Sequence, residues 1–217
     1  DITKPLNPEV AAHLDRIEKV LETHDYLECG HPLWSSAPLL SRRFEGRVRF
    51  VHLVRHPVPL SFSWQRNWAF QDPLLPHLPA KILLSPFDKG MQFPEYRERW
   101  DTMRPFEKCL YYWVELNAFA LKFHESVAAP WLQLKYEDLF NGDGLAGLLD
   151  FLGLPLDHTL ESARSVVKDR YRFVVDGLDD WRIIERHEAV MSLATRLGYR
   201  LEDLDDERLR RRYLRSV

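Results

Sequence analysis

A zinc-binding HExxH pattern, a CxxC pair, a nucleotide loop of the form GxxxxGK followed by Ser or Thr, and an apolar run of transmembrane length are all missing from this chain. Each absence removes a class of protein. With no HExxH pattern among its nine histidines, the chain is not expected to hold a metal. Its two cysteines, Cys29 and Cys109, are far apart; Cys29 falls in an expected strand and Cys109 in an expected helix, so both read as buried free thiols. The missing GxxxxGK loop argues against an ATP-using kinase. No apolar run spans a bilayer and no signal peptide heads the sequence, so the expected compartment is the cytoplasm. A formal charge of -3 gives no general affinity for nucleic acid, although it leaves room for a local basic pocket. Repeats, low-complexity tracts and a clear interdomain linker are absent too.

What the chain does have is core material. Its 217 residues are 45% hydrophobic and 12% aromatic, enough for one sizeable α/β domain covering 1–217. Asn7-Pro8-Glu9 is a helix start, with a capping Asn, Pro at the first helical position and an acid in the first turn. Residues 26–29 read as a short strand, 36–44 as a helix and 48–54 as a second strand. That βαβ unit implies parallel pairing and a right-handed crossover. A Pro-rich stretch follows at 71–105, with short helical pieces expected near 81–84 and 95–104. It reads either as a lid facing a substrate or as a plain surface excursion. Residues 106–127 form the longest expected helix, its Tyr111, Tyr112 and Trp113 serving as core. A strand at 131–136, a helix at 145–152 ending at Gly153, and helices at 157–168, 183–197 and 202–215 complete the pattern, with 170–179 an irregular connection. The arginines of the last helix, Arg208, Arg210, Arg211, Arg212 and Arg215, read as a solvated face, with an anion site as the alternative.

The stretch VRFVHLVRHPVPLSFS, residues 48–63, organises the rest. Val48, Phe50, Val51, Leu53 and Val54 suggest a strand buried on both faces. Arg55 ends it, and His56-Pro57-Val58-Pro59 breaks the strand and sets a turn into a helix carrying Ser61 and Ser63 near its start. A cation at the carboxyl end of a strand, followed by hydroxyls at a helix N-terminus, suits an anion. An ordinary strand, a surface Arg and a capping Ser would give the same pattern.

Two stretches together resemble the sulfotransferases that use 3′-phosphoadenosine-5′-phosphosulfate (PAPS). VRFVHLVRHPVPLSFSW is similar to that family's 3′-phosphate-binding strand, turn and helix, which carry an Arg at the strand end and a Ser eight positions later, here Arg55 and Ser63. WLQLKYEDLF, followed by LLDFLGLPL, looks like the family's late strand and its Phe-Leu-Gly-Leu-Pro tail. The resemblance covers residues 26–70 and 106–156, more loosely 183–199. It implies a three-layer α/β/α fold with a central, mainly parallel sheet of the P-loop type. It further implies PAPS as co-substrate and PAP as product. A guanidinium fork and a hydroxyl match the needs of a dianionic 3′-phosphate. By the same resemblance Tyr136 borders the adenine, while Glu137 and Asp138 read as structural acids. For the base that takes the acceptor proton the chain offers His31 and Glu28; a His needs little tuning at neutral pH, a Glu needs burial.

One family feature does not match. The loop of the type Pro-x-x-Gly-Thr-Thr that cradles the 5′-phosphosulfate is not in the sequence, which opens at Asp1 just before the helix that normally follows. The expectation is that the first strand and loop are omitted from this sequence rather than lost. The implied function is sulfuryl transfer to a hydroxyl or amine of a small-molecule, carbohydrate or lipid acceptor, with residues 71–105 on the acceptor side. A non-catalytic module that binds PAP or a protein is the alternative. A homodimer is the oligomeric arrangement admitted.

Overall fold

The computed structural model describes residues 6–67, 69–71, 83–141, 143–156 and 180–213. The chain divides into two compact units, Asp1–Val48 and Arg49–Val217. The helix expected at 157–168, the connection at 170–179, Arg215 and the first half of the helical piece expected at 81–84 lie outside the described residues, and residues 83 and 84 are not helical.

In the first unit, helix α1 (Pro8–Val20) starts as expected: the Asn7 side chain accepts from the Glu9 N–H at 2.8 Å, with Pro8 at the first position. Its Leu14 and Ile17 are buried against Phe44, with Leu39, Leu40 and Val48 alongside. Arg43, in the last turn of α2 (Ala37–Arg43), pairs with Asp15 at 2.9 Å and with Glu18. The strand expected at 26–29 does not form. No strand pairs with it among the described residues, so its N–H and C=O groups have no ladder to join. Leu27 is 67% exposed, and Cys29 is exposed rather than buried. A 3-10 turn, His31–Ser36, runs directly into α2.

The second unit holds a parallel pair. Strand β1 (Phe50–Val54) lies beside β2 (Trp131–Lys135), in the register Phe50↔Trp131 to Val54↔Lys135. The parallel crossover expected from 26–29 to β1 is therefore found between β1 and β2, across helices α3 (Pro57–Arg66) and α4 (Pro105–Ser126). Burial of β1 on both faces is also corrected. Phe50 meets Phe123 edge-on at 5.3 Å and His52 Nε2 reaches Asn117 Oδ1 at 2.9 Å, both on α4, whereas Val51 and Leu53 point the other way and are 37% and 48% exposed. Period-two alternation with one face covered gives this result.

The main core joins α3 (Val58, Phe62) to α4 (Phe106, Leu110, Trp113, Val114), and both to the C-terminal elements. Tyr111, Tyr112 and Trp113 are fully buried, as the sequence suggests, and so is Cys109. After β2 come α5 (Asp138–Asn141) and α6 (Gly144–Leu152), which ends at Gly153 in the left-handed conformation. The helix expected at 183–197 is split into a 3-10 turn, Trp181–Arg186, and α7 (Glu188–Arg196), because His187 leaves helical geometry to bury its ring. Last comes α8 (Asp206–Tyr213), whose Leu209 and Tyr213 enter the core while Arg210 and Arg211 pair outside with Asp206 and Glu207.

The Pro-rich segment, where described, is held firmly. Its 3-10 helix Pro94–Thr102 replaces the expected short α-helix. The buried Glu115 carboxylate on α4 accepts from the N–H groups of Gln92 and Phe93, each at 2.9 Å, and from the Tyr111 hydroxyl at 3.1 Å. Glu115→Ala leaves those donors without an acceptor and is expected to cost about 3 kcal/mol. Urea unfolding and limited proteolysis of residues 83–104 check this; a loss near zero with unchanged proteolysis would remove Glu115 as the anchor.

Candidate functional site

Pairing of Val54 with Lys135 brings Arg55 and Tyr136 out side by side at the carboxyl ends of the two parallel strands, where open α/β folds bind ligands. Three contacts set Arg55. Its carbonyl accepts the Trp113 indole N–H at 2.9 Å, its guanidinium lies 4.9 Å from the centre of the Tyr136 ring, and its Nη2 donates to the Tyr213 hydroxyl at 2.9 Å. No described carboxylate pairs with it, unlike Arg43 or Arg200, which bridge to Asp15 and Asp203. Half-buried and aromatic-backed, this guanidinium keeps most of its five N–H donors for a ligand.

The start of α3 behaves differently from the expectation that its N-terminus would receive an anion. Pro57 and Pro59 have no N–H; the Val58 N–H is taken by His56 Nδ1 at 3.2 Å, and the Leu60 N–H by the His56 carbonyl at 3.2 Å. The first turn has no amide to offer. Ser61 is fully buried, its hydroxyl without a partner among the described residues. Ser63 is half-buried, one turn before Arg66 on the same helical face. Arg66 lies 5.7 Å from the centre of the Tyr213 ring, so Tyr213 links the neighbourhoods of Arg55 and Ser63. The donors that this turn presents are side chains, not amides.

Behind Arg55 the turn is locked by a polar network. Glu137 accepts from the His56 N–H at 3.4 Å and from the Tyr199 hydroxyl at 2.9 Å, while His56 Nε2 donates to the Arg200 carbonyl at 3.3 Å. Both His56 ring nitrogens are thus used in the neutral form. Burial holds its pKa below the usual value, and the adjacent Arg55 charge acts in the same direction. Burial and the Glu137 charge push the Tyr199 phenol up. Glu137 is structural, as its sequence position suggests. His52 and His56 stand four apart, yet they turn to different partners, Asn117 and Arg200. Among the described residues no group of three or more His, Cys, Asp or Glu could hold a metal ion.

Glu28 and His31 belong to the first unit, so Arg55, Ser63 and Tyr136 are the predicted residues that one unit carries together. Glu28 is exposed and accepts from the Tyr26 hydroxyl at 2.6 Å, and His31 opens its 3-10 turn. Sequence reasoning missed Tyr213 and Tyr199. For Tyr213 a signal existed: Leu209 and Tyr213, four apart, are the apolar stripe of an otherwise charged helix.

A second buried polar cluster surrounds His187. The Tyr96 hydroxyl and Arg99 Nη2 both reach its Nδ1 at 3.1 Å, and its Nε2 reaches Glu107 Oε1 at 3.2 Å. Burial, then the Arg99 charge, lower its pKa to about 4 against the pull of Glu107.

No family model matches the chain, and no curated protein matches it. Among solved structures it resembles the sulfotransferase domain from the curacin biosynthetic pathway, with a TM-score of 0.51 at 16% identity, over 89% of this chain and 68% of that one. The likeness shows the fold: a helix-rich α/β structure of the sulfotransferase type. Among the described residues no helix is long and apolar enough to cross a membrane.

The two buried imidazoles set a pH dependence. Because their folded pKa values lie below the unfolded value of 6.5, the unfolded chain binds the extra protons. The stability they contribute is full above about 6.5 and is lost as the pH falls below it, for His187 down to about 4. Tm should therefore drop between about pH 7.5 and pH 5. In His187→Asn it should start lower and fall less steeply; an unaltered slope would rule out a neutral buried His187.

Proposed function

We propose that this chain is the core of a PAPS-dependent sulfotransferase, moving a sulfuryl group to a hydroxyl or amine of a small-molecule, carbohydrate or lipid acceptor. The observation that carries the reading is Arg55: a half-buried guanidinium at the end of β1, unpaired with any described carboxylate, in a fold shared with a sulfotransferase domain. In this reading Arg55 and Ser63 hold the 3′-phosphate, and Tyr136 borders the adenosine while backing the guanidinium. The three-layer α/β/α arrangement belongs to the proposal, with β1 and β2 in its parallel sheet and α4 on one face.

The transfer itself needs a base at the acceptor. The acceptor O–H gives its proton to His31 or Glu28, its oxygen bonds to sulfur, and the bond between sulfur and the phosphate oxygen breaks, releasing PAP. The 217 residues contain no Pro-x-x-Gly-Thr-Thr loop, so no residue of this chain is assigned to the 5′-phosphosulfate. The described part of 71–105, anchored by Glu115, is assigned to the acceptor side. A module that binds PAP without turnover shares the same 3′-phosphate site, and turnover separates the two readings.

Arg55→Ala should weaken PAP binding about 10- to 100-fold, since a charge-assisted contact is lost from a site that keeps its fold. Calorimetry on the two proteins measures this; equal affinities would remove the assignment. For the base, PAP release from PAPS with phenol, sugar and fatty-alcohol acceptors should fall in His31→Ala at unchanged PAP affinity. If Glu28→Ala shows that behaviour and His31→Ala does not, the role passes to Glu28.

A further inference from the structure

Tyr213 is the residue of the Arg55 neighbourhood with an unexplained group. It lies 4% exposed at the end of α8, its ring 5.5 Å from that of Phe62, which in turn lies 4.8 Å from Phe106. Core packing therefore fixes where its hydroxyl stands. That hydroxyl accepts a hydrogen bond from Arg55 Nη2 at 2.9 Å, which uses a lone pair and leaves its own O–H to donate elsewhere. Among the described residues nothing accepts that proton. Its surroundings are cationic: the Arg66 and Arg212 guanidinium carbons each lie 5.7 Å from the ring centre, and Arg66 Nη1 donates to the Arg212 carbonyl at 3.3 Å. A phenol polarised by a guanidinium and set among positive charges is a strong donor, most of all to an anion.

We propose that Tyr213 is a second ligand of the anion at Arg55, donating its O–H to one oxygen of a terminal phosphate while Arg55 grips others. The inference rests on the 3′-phosphate reading above and deepens it. Arg55 supplies charge and a fork; Tyr213 supplies a rigid neutral donor at no side-chain entropy cost, because its ring is already packed. The pair would thereby separate a ribose 3′-phosphate from a plain 3′-hydroxyl.

The test is calorimetry of PAP and of adenosine 5′-phosphate, which lacks the 3′-phosphate, on the wild-type protein and on Tyr213→Phe. The Phe ring keeps the contact with Phe62, so Tm should change little. PAP should bind about 5- to 30-fold more weakly and adenosine 5′-phosphate equally well. An unchanged PAP affinity, or an equal loss for both ligands, would overturn the role of Tyr213 while leaving Arg55 in place. Wild-type protein that binds PAP no better than adenosine 5′-phosphate would overturn this inference together with the 3′-phosphate reading. Should Tyr213→Phe not fold, a fluorotyrosine placed at position 213 alone makes the O–H a stronger donor without altering the packing. PAP should then bind more tightly, and the same affinity as wild type would overturn the proposal.

Discussion

The hydrogen bond from the Trp113 indole to the Arg55 carbonyl joins the longest helix to the end of the first strand, and much of the molecule hangs on the helix that makes it. Four polar side chains of α4 each tie down a different segment. Glu107 takes His187, Trp113 takes Arg55, Glu115 takes the N–H groups of Gln92 and Phe93, and Asn117 takes His52. A buried helix can do this because its apolar residues have already excluded water, so each unpaired polar group would be costly and each paired one is firmly placed. Arg55 inherits its position from that helix.

The turn at Arg55 differs from a helix N-terminus that offers its amides as an anion cradle. Two prolines and the His56 cap consume or remove the first amides of α3. The same residues make the turn stiff, and Glu137 and Tyr199 stiffen it further from the side of β2. The result is a preorganised guanidinium whose orientation is set by contacts within the chain. A fork and a hydroxyl meet here from separate elements rather than from one run of backbone, the arrangement on which the proposed phosphate site rests.

Much of this was legible from local pattern. The β1–turn–α3 unit, α4 with its buried aromatics, β2 and the left-handed Gly153 all follow from apolar spacing, prolines and caps, which act over a few residues. Arg55 and the hydroxyls of α3 stood out for the same reason, whereas Tyr136 stood out only through the sulfotransferase resemblance. Residues 26–29 show the limit. Their β-forming composition is real, but a strand exists only where a neighbour completes its hydrogen bonds, and none of the described strands does so.

The chain's own order of residues was enough to specify β1, β2, α1, α4 and α6, the cation at the end of β1 and the stiff turn behind it. Which strand pairs with β1, which of its faces is covered, and which distant side chains meet Arg55 were decided by packing. Tyr213 lies 158 positions from Arg55, so no local pattern could connect them. Burial of Leu209 and Tyr213 in the common core brings the phenol to the guanidinium. That contact exists because the packed interior fixes α3, α4 and α8 against one another, so that a charged fork and a fixed hydroxyl meet at the end of β1.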